Sequence, residues 1–288
     1  MSNSIKTNFA AMTALQSLNM TNKNLQTTQS RVSTGYRVNE AADNAAYWAI
    51  ATTLRNDNSA LGAITDSLGL GAGQVDVAYT GVNQALDIAK QIRDKLVSAA
   101  NETVDRELVQ QDIDQLQEQL LTVATGANYS GTNWLLDAAT PTTSGIVANY
   151  TVNASGSAVT QSIEIDLNEI RLFDNTTGAS GLLASLYAID ISAATGSIDA
   201  QITTAGAAIE SLTTAATALG SYKSRISLQQ EFISALRDSI ERGVSSLVDA
   251  DMNEESTRLQ ALQVQQQLGV QALSIANQSS QQILRLFQ

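Results

Sequence analysis

Residues 198–247 read IDAQITTAGAAIESLTTAATALGSYKSRISLQQEFISALRDSIERGVSSL, and an apolar residue stands at every seventh position of this stretch. These positions hold Ile198, Ala205, Leu212, Leu219, Ile226, Ile233, Ile240 and Leu247. A sustained repeat of seven is typical of a long α-helix that packs on a partner helix with a left-handed supercoil. The stretch therefore predicts one long helix that needs a helical partner.

The first half of the chain contains a second repeat of seven, which supplies the predicted partner. Its positions are Leu54, Leu61, Leu68, Val75, Val82, Ala89 and Leu96. A shorter stripe predicts a third helix and consists of Val109, Ile113, Leu116, Leu120 and Val123. We therefore predict a mainly α fold of long antiparallel helices with coiled-coil packing, built from both ends of the chain.

Weaker apolar stripes mark the two ends of the chain. The first comprises Ile5, Phe9, Met12, Leu15, Leu18 and Leu25, and the last comprises Leu259, Leu262, Leu273, Ile283 and Phe287. So few apolar side chains gain too little from burial to offset the conformational entropy that ordering these ends costs. We therefore expect these residues to pack between subunits of an assembly.

The middle of the chain, residues 138–197, has a different composition. It holds the single proline, Pro141, among clusters of Thr, Ser, Gly and Asn. Apolar and polar residues alternate over 146–152 and again over 163–167, which predicts a β-hairpin. We therefore predict three parts: an inner domain of the terminal arms, a helical trunk, and a variable, surface-exposed insertion. These parts cover residues 1–40 with 251–288, 41–137 with 198–250, and 138–197.

Composition excludes several classes of function. The chain has no Cys and no His, so that disulfides, Cys or His metal sites and Ser-His-Asp catalysis are impossible. We predict a protein that is not an enzyme and has no cofactor or metal, although catalysis by carboxylates remains an alternative. The net charge of −12 disfavours nucleic acid as a partner, because nucleic acid binds proteins largely through its phosphates.

Targeting signals give a further expectation. No apolar run is long enough for a membrane span, and residues 1–39 lack the apolar core of a secretory signal peptide. The same residues carry no acid, which leaves a transit peptide as a weaker alternative. We expect no membrane insertion, and any export to proceed without a cleavable signal peptide.

Two short motifs each allow two interpretations. The run Gly69–Gly73, GLGAG, could cradle a phosphate, but no predicted strand precedes it and no Lys-Ser or Lys-Thr pair directly follows it. We favour a small-residue helix face that lets a neighbouring helix approach closely. The acidic residues Asp249, Asp251, Glu254 and Glu255 could bind calcium, but they lack the spacing of an EF-hand. A helix start with favourable dipole charges is the interpretation that we favour.

The first segment that resembles a known family is Ser30–Asn39, SRVSTGYRVN, followed by AADNAA at 41–46. It is similar to the bacterial flagellin signature Arg-Leu-Ser-Ser-Gly, then Arg-Ile-Asn and Asp-Asp-Ala-Ala. The runs LVDADMNEE at 247–255, NYSGTN at 128–133 and ILRLFQ at 283–288 also resemble flagellin motifs. On helical grounds alone, Gly35 would end one helix and Asn39 would open the next.

The resemblance implies a structural subunit that self-assembles in many copies into the flagellar filament and serves swimming motility. The chain most resembles a short alphaproteobacterial-type flagellin, and the resemblance implies a location outside the cell. In the family, the matched segment is a spoke between two domains, which here would comprise Arg31, Gly35, Arg37, Asn39, Asp43 and Asn44. Alternatives are a hook–filament junction protein of the same family and a fibrous coiled-coil surface adhesin.

The resemblance also implies partners. They are other copies of the chain, possible sister flagellins, a flagellar export chaperone on the C-terminal arm, and cap and hook-junction proteins. Export would use the flagellar type III channel. Flagellins active on the animal innate receptor carry Arg-x-Arg-Glu-Leu, where this chain has Gln91, Arg93 and Lys95 in a degenerate patch. We therefore expect weak recognition by that receptor.

Overall fold

The computed structural model describes residues 8–101, 103–136, 142–152, 158–174, 178, 180–192 and 197–286. Within these ranges, the side chains of 152, 158 and 279–286 are not described. Of the predicted assembly residues, Ile5 and Phe287 therefore lie outside the described residues, and the side chain of Ile283 does as well.

Long helices dominate the fold, which confirms the predicted fold class. The elements in chain order are α1 (Phe9–Thr34), α2 (Ala45–Ala99), α3 (Arg106–Gly126), β1 (Asn128–Tyr129), β2 (Thr132–Asn133), β3 (Thr143–Val152), β4 (Ala158–Asp166), α4 (Ala184–Tyr187), α5 (Ile198–Val248) and α6 (Met252–Leu286). They form two compact units: Met1–Asn58 with Asp238–Gln288 (unit 1), and Ser59–Arg237 (unit 2). The three-part domain division stays a prediction.

Unit 1 has a small apolar core at the turns between its helices. Val38, Ala51, Val244 and Val248 are buried together. The backbone N–H groups of Arg37 and Val38 both donate to the carbonyl of Val248, at 2.7 and 3.2 Å. The turn after α1 is thereby held against the end of α5.

The helix expected to open at Asn39 begins six residues later, at Ala45. Asn44 is the capping residue, because its side-chain oxygen accepts from the backbone N–H groups of Ala46 and Tyr47, both at 3.1 Å. The carboxylate of Asp43 accepts from the backbone N–H of Asn39 at 2.9 Å and holds that residue in a turn. The expectation for Asn39 was therefore wrong, while Gly35 ends α1 as expected, with φ 76°.

In unit 2, the buried residues of α2 and α5 follow the repeat of seven. On α2 they include Leu61, Leu68, Val75, Val82, Ala89 and Leu96, and on α5 they include Ala205, Leu212, Leu219, Ile226 and Ile233. An ion pair of 2.7 Å joins Lys223 of α5 to Asp76 of α2. The hydrogen bond and the charge of Asp76 raise the pKa of Lys223.

The middle of the chain contains the predicted hairpin, with wider bounds than the alternation indicated. β3 pairs antiparallel with β4, and a bulge interrupts the register between Val147 and Asn149. Many side chains that follow the hairpin are buried: Leu167, Ile170, Leu172, Phe173, Leu183, Leu186, Ile189 and Ile191. The middle segment thus contributes a core of its own.

Two glutamines of α3 hold the end of this segment. The buried side chain of Gln117 donates to the carbonyls of Leu186 and Ile189, at 3.1 and 3.0 Å. The oxygen of Gln110 accepts from the backbone N–H of Ile191 at 2.9 Å. These bonds satisfy backbone groups that would otherwise be buried without partners.

Within the run 69–73 of α2, Gly71 and Gly73 lie against side chains of β-strands, so that our expectation of a neighbouring helix at this run was wrong. A Cβ at Gly71 would lie 2.6 Å from side-chain carbons of Ile146 in β3. A Cβ at Gly73 would lie 2.8 Å from the hydroxyl of Tyr129 in β1. A Cβ at Gly69, in contrast, would meet nothing within 4 Å.

This contrast yields a prediction for two neighbouring glycines. Gly71→Ala forces Ile146 to move, and overpacking of this kind costs about 1–3 kcal/mol. Gly69→Ala adds no contact and gains helix propensity, about 0.5–1 kcal/mol. Thermal melts followed by circular dichroism should therefore show a lower Tm for Gly71→Ala and a higher Tm for Gly69→Ala. Equal shifts would contradict the packing described for Gly71.

Candidate functional site

The candidate site is the pair formed by α1 and α6 in unit 1, which run antiparallel. Near one end, the side chain of Asn8 donates to the carbonyl of Ala276 at 2.9 Å. Farther along, Gln266 donates to the side chain of Asn22 at 2.8 Å. These contacts fix which part of α1 lies beside which part of α6.

The facing sides of the two helices are only partly covered. Thr28 is the buried residue of α1, and Glu255 and Leu262 are the buried residues among the described side chains of α6. The other predicted assembly residues on the facing sides are half-buried: Leu18, Leu25, Leu259 and Leu273. The structure therefore brings these leucines together within one chain.

The outer side of α1 carries an apolar stripe. Phe9, Met12 and Met20 lie on the face opposite α6, and Leu15 flanks them. These four side chains are between 48% and 63% exposed. Phe9, Met12 and Leu15 were among the predicted assembly residues, whereas Met20 was missed because Gln16 and Ser17 interrupt the pattern before it.

The outer side of α6 carries a matching stripe that sequence reasoning missed. Val264, Leu268 and Ile275 follow one another at helical spacing on the face opposite α1, and Val270 lies nearby. These four side chains are between 53% and 67% exposed. The signal was present in the sequence, but the leucines of the facing side gave a more regular repeat.

A buried ion pair lies at the other end of the helix pair. Arg31 donates to Glu255 at 3.0 Å, and the side chain of Glu255 is 6% exposed. Arg258 lies 3.7 Å from the same carboxylate. One oxygen of Glu255 and the Nε of Arg31 are buried without a hydrogen-bond partner. The pair is therefore sensitive to the loss of either charge.

The predicted spoke residues lie in and next to the turn that follows α1. Arg31 lies in the last turn of α1, Gly35 caps this helix, and Arg37 donates to the carbonyl of Leu247 at 2.9 Å. Asp43 and Asn44 bond backbone N–H groups, as described above. The structure thus assigns these residues a role in closing unit 1, and their role between domains stays a prediction.

The degenerate receptor patch lies on α2 in unit 2. Gln91 and Lys95 are exposed, and Arg93 is half-buried. Lys95 pairs with Asp112 of α3 at 2.5 Å, and Arg93 pairs with the adjacent Asp94 at 2.9 Å. Both basic side chains are therefore already engaged by acids of the same chain.

The acidic run before and in α6 has structural roles in this geometry. The carboxylate of Asp251 accepts from the backbone N–H groups of Asn253 and Glu254 and so caps α6. Glu255 pairs with Arg31. Among the described residues, no group of three or more His, Cys, Asp or Glu side chains is placed to hold a metal ion. Within the same ranges, no helix is long and apolar enough to cross a membrane.

Comparison with known proteins identifies the family. Residues 5–140 match the N-terminal helical region of bacterial flagellin, and residues 202–287 match its C-terminal helical region. The chain belongs to the bacterial flagellin family. Flagellin C of Rhizobium meliloti strain 1021 is 45% identical over 318 residues, which cover 99% of both chains. A flagellin of Brucella melitensis is 46% identical over 293 residues, with the same coverage.

These matches confirm the predicted family, its alphaproteobacterial type and the predicted function. This flagellin is a structural subunit of the filament of the bacterial flagellum, which serves swimming motility. Its family is structural, and its homologues form an extracellular filament. Nothing in the matches favours a junction protein or an adhesin.

The buried ion pair of the helix pair leads to a prediction. Glu255→Gln leaves Arg31 partly buried beside a neutral side chain, which should destabilise unit 1 by about 1–3 kcal/mol. The matched control is Glu254→Gln, since Glu254 pairs with Arg258 on the surface, where ion pairs contribute about 0–1 kcal/mol. Urea denaturation of the two variants, followed by circular dichroism, compares them. The interpretation of the pair as buried is wrong if the two losses of stability are equal.

Proposed function

We propose that the outer stripes of α1 and α6 are the surfaces through which this flagellin contacts other copies in the filament. The stripes consist of Phe9, Met12, Leu15 and Met20 on α1, and of Val264, Leu268, Val270 and Ile275 on α6. The observation that carries the proposal is their exposure on helix faces that no described part of the chain covers. Contiguous exposed apolar residues of this kind mark interaction sites.

The two stripes occupy the same stretch of the helix pair, which supports this proposal. Asn8 lies beside Ala276 and Asn22 lies beside Gln266. The stripe on α1 therefore runs alongside the stripe on α6, on the opposite edge of the pair. One stretch of the pair thus offers an apolar surface on two sides, as a subunit between neighbours in a polymer requires.

The distribution of charge also supports unit 1 as the part that packs closely. Unit 1 has 8 basic and 9 acidic residues, whereas unit 2 has 8 basic and 19 acidic residues. Nearly all of the net charge of −12 therefore belongs to unit 2. Copies of a nearly neutral unit approach one another with little electrostatic repulsion.

The facing residues would support assembly in a second way. Leu18, Leu25, Leu259, Leu262 and Leu273 hold α1 on α6 within the chain. Substituting them would disturb the stripes by disturbing the helix pair that carries them. We keep Ile5, Ile283 and Phe287 as proposed assembly residues on the basis of the sequence pattern alone.

We also propose the partners and the export route that the family implies. The flagellar type III channel would export the chain unfolded and without a cleavable signal, and a chaperone would cover the C-terminal arm. Cap and hook-junction proteins would meet the filament at its two ends. Rhizobium meliloti strain 1021 has flagellins A, B, C and D, all similar to this chain over nearly their full length. Sister flagellins could therefore join the same filament.

The proposal is tested by two substitutions on opposite faces of α6. Ile275→Ser removes an exposed side chain, so that monomer stability should change by no more than about 0.5 kcal/mol. In the filament the same change loses about 2 kcal/mol of apolar burial per subunit, which corresponds to a roughly thirtyfold rise in critical concentration. Sedimentation of seeded polymerisation reactions measures this concentration.

Leu262→Ser is the matched control, because Leu262 faces α1 and is 8% exposed. It should lower the stability of the monomer by about 2 kcal/mol or more. If Ile275→Ser polymerised like the wild type at an unchanged Tm, the outer stripe of α6 would not be a subunit contact. If both variants lost stability equally, the assignment of the two faces would be wrong.

We further propose that the innate receptor recognises this flagellin weakly through the patch around Arg93. Gln91 lacks the planar, multidentate group of the family's arginine, and Lys95 replaces an apolar anchor with a hydrated charge. Lys95 is also engaged by Asp112. The double variant Gln91→Arg with Lys95→Leu should gain about a thousandfold in receptor activation, because each of the two anchors contributes about 2 kcal/mol.

A reporter-cell assay with purified monomer measures this gain. Lys90→Leu serves as the control, since Lys90 is an exposed lysine of the same helix outside the patch. The wild-type chain should be weak, and the control should remain as weak. A wild-type chain as potent as a flagellin with the full motif would refute the proposal.

A further inference from the structure

Two of the four sulfur atoms of this chain lie on one proposed contact surface. The chain has four methionines and no cysteine. Met12 and Met20 both lie on the outer stripe of α1, and they are 59% and 60% exposed. Met252, in the first turn of α6, is outside both stripes. The thioethers of Met12 and Met20 are therefore open to reagents in the free subunit.

We propose that Met12 and Met20 form an oxidation site that controls polymerisation. A two-electron oxidant of the peroxide class would convert both side chains to sulfoxides in the free subunit and thereby block its addition to a filament. The inference rests on the proposed role of the outer stripe. In this proposal, covalent modification controls a surface whose proposed contacts with other copies are otherwise purely apolar packing.

The chemistry needs no group from the protein other than the thioether. The sulfur lone pair attacks one oxygen of hydrogen peroxide, the O–O bond breaks, and an S–O bond forms. Sulfur loses two electrons, and the peroxide is reduced to one molecule of water. A dithiol reductant reverses the step: the sulfoxide oxygen leaves as water, and the two thiols become a disulfide.

The effect should fall on assembly and leave folding unchanged. In the free subunit, water solvates a sulfoxide at Met12 or Met20, because both side chains already face solvent. In a contact formed by apolar residues such as Phe9, the sulfoxide loses this water, and burying a polar group without a hydrogen-bond donor is unfavourable. Sulfoxides at Met12 and Met20 are thus tolerated in the free subunit and destabilise the contact between subunits.

The filament should protect the same two residues. If the outer stripe of α1 is covered by a neighbouring copy, peroxide reaches Met12 and Met20 slowly once the subunit has been incorporated. The modification would therefore distinguish free subunits from incorporated ones. Oxidation would stop growth without dismantling the filament that has already formed.

The experiment treats the wild-type monomer and preformed wild-type filaments with hydrogen peroxide. Mass spectrometry of the peptides that contain Met12, Met20 and Met252 measures oxidation at each site. We expect oxidation of Met12 and Met20 to be at least tenfold slower in filaments than in monomers. We also expect oxidised monomer to have an unchanged Tm and a critical concentration raised at least tenfold. Reduction by methionine sulfoxide reductase should restore polymerisation.

Variants separate the two sites from general damage. Met12→Leu with Met20→Leu keeps the stripe apolar and removes both sulfur atoms, so that peroxide should change its critical concentration less than twofold. Met252→Leu is the control and should remain as sensitive as the wild type. If the double variant polymerises poorly before treatment, each single variant is tested in its place and should lose part of the sensitivity.

The outcomes separate this inference from the proposed function. If Met12 and Met20 are protected in filaments but oxidised monomer polymerises normally, the oxidation site is refuted and the contact surface stands. If they are oxidised equally fast in monomers and filaments, the outer stripe of α1 is not a subunit contact, and both proposals fail. A double variant that stays sensitive to peroxide refutes the oxidation site alone.

Discussion

The antiparallel pairing of α1 with α6 is the constraint on which the ends of this molecule depend. Two helices in contact cover one face of each other and leave the opposite faces to solvent. Here the facing sides carry leucines, and the outer sides carry apolar residues as well. A helix that is apolar on two sides gains further burial when a second partner covers the outer face. The outer faces of α1 and α6 are therefore the part of this pair that is open to the second partner that we propose.

Polar contacts fix the alignment of α1 on α6, although few side chains of the pair are buried. Arg31 and Glu255 lie at the end nearest the turns, where backbone hydrogen bonds join Gly35 to Ala250 and Arg37 to Val248. Burying the two charges is costly, but separating them would be costlier, because each would remain without its partner. The ion pair thus penalises misplacement of the helices near their base. Contacts farther out, such as Asn22 with Gln266, continue the same alignment.

The long helices could be predicted because their signal is periodic and local. The repeat of seven from Ile198 onward coincides with α5, and its members from Ala205 to Ile233 are buried. The start of α2 could not be predicted in this way, because Asn39, Asp43 and Asn44 are all residues that cap helices or form turns. In the structure, Asp43 closes the turn at Asn39 and Asn44 caps the helix, and neither local composition nor periodicity distinguishes these roles. The outer stripe of α6 is obscured for a related reason, since this helix carries two apolar patterns and the leucines that face α1 form the more regular one.

In the middle of the chain, periodic sequence patterns do not predict which residues are buried. Leu167, Ile170, Leu172 and Leu183 are buried without belonging to a strand or a long helix, so neither period marks them. Their positions follow from contacts distant in sequence, such as the bonds from Gln117 to Leu186 and Ile189, and from the fit of Ile146 over Gly71. Such contacts specify single side chains and leave the intervening turns unconstrained.

Flagellin A of Rhizobium meliloti aligns over 391 residues, more than this chain contains. The two matched family regions leave residues 141–201 between them, and we expect the differences in length to concentrate there. Insertions in the turns of the middle segment are compatible with the helical trunk as long as Ile146 still packs on Gly71. The side chains of Gln110 and Gln117 must also keep their backbone partners.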